Sequence, residues 1–264
     1  MNIFKRELRA NLKSLAIWAV IVVLFVMVGV SKFSAYYNNP DMLSVLDSLP
    51  KAVVDALNLN AFNLTTVSGF FGIMFMYYAL LLCIAAAMWG SDIISKEERD
   101  KTVEFSLTMP VTRSRLITAK TLAVLTNCTI LLLVTALASI ISTAKYQPDS
   151  DFYRFLALCM LALFIMQLIF LAVGILLGCS MKRYKLATST AVFLLLGTYF
   201  LSIIVTLNRN LDFLRFFSPF QYFDPVALLH ESRFDSVSVV LSFAIVAACM
   251  AGAYLTYSKR DLYI

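Results

Sequence analysis

Six stretches of this sequence carry no charged residue, and each is long enough to cross a lipid bilayer. They are 14–31, the run before Asp92 whose most apolar part is 67–88, and then 121–144, 155–181, 186–208 and 236–258. A helix needs about 20 apolar residues to span the hydrocarbon core. Lipid offers the backbone no hydrogen-bond partners, so each run must satisfy its own N–H and C=O groups, which a helix does. The expectation is an all-α membrane protein with six transmembrane helices at about 15–33, 67–90, 116–144, 155–180, 186–207 and 237–257. Together they form one transmembrane domain over 1–264.

Composition agrees. Hydrophobic residues make up 61% of the chain and the mean hydropathy is +0.82, values of polytopic membrane proteins rather than soluble enzymes. Six spans leave no room for a separate soluble domain within these residues. The net charge of +6 suggests a nucleic-acid partner, but the basic residues sit beside the spans, which fits membrane topology and no nucleic acid. Cys83, Cys128, Cys159, Cys179 and Cys249 all fall in or at the edge of spans and form no C-x-x-C pair, which argues against a disulfide framework or a metal site. The lone histidine, His230, has no partner at metal-ligand spacing. The first apolar run is longer than a signal-peptide core and lacks a small-x-small cleavage site, so it reads as a retained span.

Orientation follows from Lys and Arg. With the N-terminus inside, the inner segments hold Lys5, Arg6, Arg9 and Lys13, then Lys96 through Lys120, then Lys182, Arg183 and Lys185, and finally Lys259 and Arg260. The outer segments hold fewer basic residues over greater length, so both termini are expected in the cytoplasm. Residues 1–14 place Phe4, Leu8 and Leu12 on one line with Lys5, Arg6, Arg9 and Lys13 off it. That pattern suits an amphipathic helix on the inner membrane face, and equally a basic anchor before the first span. Of the outer loops, 34–66 contains Pro40, Pro50 and the apolar piece 52–57. The other, 208–237, carries Phe213, Phe216, Phe217, Phe220, Tyr222 and Phe223, more rings than a solvated loop needs. It is expected to dip into the interface or pack on the outer mouth.

The most informative polar segment is 91–115, running on to Lys120. Basic and acidic residues alternate there, and Glu97 stands four before Lys101, the favourable order on a helix. The second span is therefore expected to continue as a charged helix beyond the membrane, ended before Pro110, with Thr112 or Ser114 capping the third span. A short protruding helix tied to two spans suits a docking element; an ordinary solvated loop is the plain alternative.

Glu97-Glu98-Arg99-Asp100-Lys101-Thr102-Val103-Glu104, then Met109-Pro110-Val111-Thr112-Arg113 and Lys120, resembles the signature of ABC-2 type transporter permeases. Lys101 stands where that family commonly has glycine, and Phe105 where it has leucine. Ser218-Pro219-Phe220 with Tyr222-Phe223, and the tail 257–262, are similar to the family's outer-loop motif and cytoplasmic ending. The resemblance implies a type V exporter-like fold with an N-terminal interfacial helix. It implies two permease copies, identical or related, working in a lipid bilayer with two copies of a separate ATP-binding subunit. Coupling to that subunit would fall on Glu97, Glu98, Arg99, Lys101, Thr102, Glu104, Pro110 and Arg113. The chain has no G-x-x-x-x-G-K-[ST], so ATP and Mg would be bound by the partner and no cofactor by this chain. The expected location is the plasma membrane of a bacterium.

Two further features concern the path of a cargo. No Asp, Glu, Lys, Arg or His lies at a span centre, which argues against a proton-coupled carrier. Thr190, Thr198, Ser202 and Thr206 recur at multiples of four in the fifth span and either line a pathway or bond carbonyls one turn back. Asn127 and Gln167 are read as interhelical glue, and Gly174 with Gly178 as a close-approach motif. The leading expectation is an exporter permease for an amphipathic or hydrophobic substrate such as a drug or peptide. The alternatives are a membrane binding or immunity protein and a membrane enzyme, though no G-x-S-x-G, H-E-x-x-H or paired intramembrane aspartate is present.

Overall fold

A computed structural model of the protein describes residues 3–37, 39, 62–99, 112–181, 183–207 and 209–259. The described residues form helices α1 (Ile3–Phe33), α2 (Val67–Arg99), α3 (Arg113–Thr143), α4 (Ser150–Ser180) and α5 (Tyr184–Leu207), then the short α6 (Pro225–Glu231) and finally α7 (Ser236–Lys259). All but α6 are long and apolar enough to cross a membrane. The chain is an all-α, multi-pass membrane protein. Most helices run past the hydrophobic limits read from the sequence, because a turn or two of amphipathic helix can continue beyond the lipid without losing backbone bonds.

From Ile3 onward the residues of 1–14 are the first turns of α1, continuous with the span that follows. Nothing breaks the helix, since neither proline nor glycine occurs before Gly29. Side chains also hold it to α2, for Trp89 Nε1 donates to Ser14 Oγ at 2.8 Å. The buried stripe of α1 is Glu7, Leu15, Val22, Val26, Gly29, Val30 and Phe33. Phe4 and Leu8 flank it half-buried, and Leu12 is exposed.

Packing centres on α2 and α4, which make the most extensive contact in the bundle. The cause is a run of glycines. A Cβ on Gly174 would meet Ala87 O at 2.6 Å, one on Gly178 would meet Ser91 O at 2.8 Å, and one on Gly90 would meet Leu171 O at 2.5 Å. Both partners advance by four residues together, so α2 and α4 run parallel with their backbones in direct contact. Lipid tails are as apolar as leucine, so helices in membranes associate through such close packing rather than through hydrophobic burial. Around this pair, α1 lies chiefly on α3, α7 on α4, and α5 on α2. The Ser91 hydroxyl bonds Thr188 Oγ1 at 3.0 Å, adding a polar tie between α2 and α5.

The start of α1 and the end of α7 lie at one end of the bundle, called the termini end. At the opposite end the aromatic segment 209–235 divides its rings between two tasks. Phe220, Tyr222 and Phe223 are buried, and Phe220 packs against Phe170 and Tyr199 at centroid distances of 5.4 and 5.3 Å. Phe213, Phe216 and Phe217 face outward. The segment re-enters along α5: Ser218 Oγ donates to Thr198 O at 2.7 Å, nine residues or roughly 13 Å before the end of that helix. Irregular backbone at such depth is tolerated where protein supplies its partners. Gln221 Nε2 adds two ties to α5, donating to Ser202 O at 2.8 Å and Thr206 Oγ1 at 3.0 Å. Asp224 caps α6 through Val226 N, with Pro225 at the first helical position.

Candidate functional site

At the termini end, α1, α2 and α3 are joined by a buried cluster of charges. Helix α2 continues unbroken to Arg99, as the alternation of charge on 92–101 led us to expect. Its Lys96 pairs with Glu7 of α1, whose side chain is only 2% exposed. Arg6 Nη2 donates to the other carboxylate oxygen at 2.9 Å. Lys120 of α3 is within electrostatic reach of the same carboxylate and is itself fully buried. Its ammonium donates to Ile93 O of α2 at 2.9 Å. An ammonium out of water is tolerable only when bonded, so Lys120 holds α3 to α2 at a fixed height. Three helices thus meet at one carboxylate and one carbonyl.

The beginning of α3 is tied to the end of α7 in a similar way. Thr112 caps α3 by accepting from Arg115 N at 3.3 Å. Arg113 Nη1 donates to Tyr257 O at 3.2 Å and Ser258 O at 3.3 Å, the last carbonyls of α7, where a cation is favoured by the helix dipole. Thr118 Oγ1 and Tyr254 OH share a hydrogen bond of 2.7 Å one turn deeper. Arg113→Ala should cost about 1 kcal/mol or less, the scale of a partly solvated cation at a helix end. Hydrogen exchange at residues 254–259 should speed up with the rest of the bundle unchanged.

Of the residues read as coupling elements, Arg113 is therefore engaged within this chain. Glu97, Glu98 and Arg99 lie on the last turn of α2 by their backbone, and their side chains are outside the described residues. Lys101, Thr102, Glu104 and Pro110 lie outside the described residues altogether. The other candidate set is placed in full. Thr198, Ser202 and Thr206 each donate to a carbonyl on their own helix, to Leu195 O, Tyr199 O and Ser202 O. The same face receives Ser218 and Gln221 of the re-entrant segment. Thr190 is half-buried lower on α5.

Glu7 was missed in reading the sequence, where the basic residues of 1–14 drew the eye to a membrane-surface helix. A signal was present: Glu7 is the only acid in that segment and belongs to the stripe that continues through Leu15, Val22 and Val26.

The order of these parts along the chain is that of a known family. A family model described as ABC-2 family transporter protein matches residues 1–262. The chain belongs to the ABC-2 transporter family. Among curated proteins nothing matches it. Membership over nearly the whole length makes this ABC-2 protein the membrane permease of an ABC transporter. Permeases of the family generally work with an ABC ATP-binding subunit. The charge cluster described above lies toward the C-terminal end of α2 in the ABC-2 bundle.

Proposed function

We propose that this permease exports an amphipathic or hydrophobic molecule, such as a drug or peptide, driven by a separate ATP-binding subunit present in two copies. A second permease, identical or related, completes the transporter. The termini end faces the cytoplasm, as the distribution of Lys and Arg favours. The partner binds ATP and Mg, and residues 91–115 receive its motion, with Glu97, Glu98, Arg99, Lys101, Thr102, Glu104 and Pro110 as the contact set.

The observation that carries this reading is the continuity of α2 from the bundle core to Arg99, combined with the Glu7, Lys96 and Lys120 joint at its root. A push on the protruding end cannot be absorbed by a flexible hinge there. It is passed to α1 and α3 at once, and through the glycine contact to α4. A nucleotide shifts the bundle only insofar as its partner binds one arrangement of this lever better than the other.

The test is ATP hydrolysis by the reconstituted complex. Glu97→Ala with Glu104→Ala should lower permease-dependent hydrolysis about tenfold, as loss of about 1.4 kcal/mol of docking free energy gives. The nucleotide-binding subunit alone should hydrolyse ATP as before. Undiminished hydrolysis and transport in the folded double variant would exclude the contact set. Cargo binding by the permease without any ATP-dependent movement would favour a binding or immunity protein.

A further inference from the structure

We propose that the pocket beneath the re-entrant segment, opposite the termini, binds the headgroup of a zwitterionic phospholipid. The cavity holds about 170 Å³ and lies between the re-entrant segment, α6 and the start of α7. A cavity of roughly 150 Å³ accommodates a ring of benzene size, so the space suits a compact headgroup and excludes an acyl chain.

Both signs of charge line its wall. Arg215 and Arg233 contribute two positive groups, Asp224 and Asp235 two negative ones. All four are held in place by neighbours. Arg215 lies over the Phe216 ring at 4.9 Å, and Arg233 Nε donates to Glu231 at 2.8 Å. Asp235 accepts from Ser238 Oγ at 2.8 Å and from the backbone N–H of Val237 and Ser238. The Ser238 hydroxyl foremost, then those N–H groups and the charge of Arg215, hold the Asp235 carboxyl below its usual range, so it is ionised at neutral pH. Burial raises the Asp224 carboxyl, and the Val226 N–H draws it back. A wall with both signs selects a ligand of the same kind: a phosphate for the guanidiniums and an ammonium for the carboxylates. A purely anionic group gains the first contact and is repelled by the second.

The surroundings point to a lipid rather than a soluble zwitterion. Phe213 and Phe217, on the same segment as Arg215, are 63% and 68% exposed. Val237 and Val240, on the α7 turn that carries Ser238, are 59% and 69% exposed. These exposed apolar side chains stand beside Arg215 and Ser238 of the wall along the chain, and in a membrane such side chains meet hydrocarbon. The proposal rests on the chain being membrane-embedded and is independent of ATP coupling.

The experiment is titration of the delipidated full-length chain with phosphatidylethanolamine or phosphatidylglycerol of identical acyl chains, read by native mass spectrometry. The wild-type chain should prefer the zwitterionic lipid about fivefold, the size of one partly solvated charge contact. Asp224→Asn with Asp235→Asn keeps both helix caps and makes the wall positive, so the preference should pass to phosphatidylglycerol. Ala227→Trp, at the pocket wall, should abolish the preference without new charge. Equal or tighter binding of phosphatidylglycerol by the wild-type chain would overturn the proposal. So would an unchanged preference in the double asparagine variant, or displacement of the lipid by equimolar soluble phosphoethanolamine.

Discussion

Gly174→Val should leave little correctly assembled protein, and Gly174→Ala should lower stability by about 1–3 kcal/mol, the range for overpacking a close-fitted core. The reason is the absence of slack. The new Cβ would stand 2.6 Å from Ala87 O and 3.0 Å from Ser91 N, both backbone atoms of α2 that no rotamer change can move. The two central helices would have to part, and parting weakens every contact along them. Gly90→Ala should act alike, since its Cβ would meet Leu171 O at 2.5 Å from the other side. The double alanine variant should lose less than the sum, because one separation relieves both clashes. Gly197→Ala is the control. Nothing lies within 4 Å of its Cβ, so it should be neutral or stabilise the helix by up to about 1 kcal/mol. Thermal unfolding in detergent, followed by size-exclusion chromatography, checks all five variants. A normally stable Gly174→Val protein would mean that α2 and α4 do not touch as described.

Glu7→Gln is the second large effect expected. It keeps the shape of the side chain and removes the carboxylate that Lys96 and Arg6 share and that Lys120 feels. Breaking one side of a buried ion pair costs about 3–5 kcal/mol, because the remaining charge stays out of water. For a chain of this size the midpoint of unfolding should fall on the order of 10 °C. Adding Lys96→Met should recover part of the loss, since it removes the ammonium paired directly with Glu7 while Lys120 keeps its bond to Ile93 O. Raising the salt concentration should change the wild-type midpoint little, as a carboxylate 2% exposed is poorly screened. If Glu7→Gln unfolds at the wild-type temperature, the joint contributes nothing to holding α1, α2 and α3 together. On the proposed mechanism, the rescued double variant should remain folded yet transmit less, giving ATP hydrolysis with reduced transport. That split separates a structural role from a coupling one.

Part of this arrangement was legible beforehand. The six spans follow from charge-free runs because the cost of an ion in lipid leaves no other way to write them. A cap at Thr112 or Ser114, of which the structure uses Thr112, and the charged extension of α2 were also visible, since capping and i,i+4 pairing are local. The hydroxyl stripe of α5 was legible as a stripe, but its two readings differ only in what lies opposite. The structure sets Ser218 and Gln221 there. The six rings of the outer segment looked alike in sequence, yet half are buried anchors and half face outward, a division that falls at Ser218, whose extended backbone separates the helical turns Arg209–Phe217 and Pro219–Gln221. The charged residues of 1–14 suggested either a surface helix or a basic anchor, and Glu7 and Ser14 tie these first turns of α1 to α2.

Hydropathy alone determined that this chain is a bundle of membrane-crossing helices, because water and lipid differ so sharply in what they tolerate. It was silent on which helix meets which, since the interior of such a bundle is no more apolar than the lipid outside it. That α1 rests on α3 rather than on its neighbour in sequence, and that α2 runs parallel with α4, was decided in three dimensions. There the choice falls to glycines that admit a backbone and to a few buried charges that need one another.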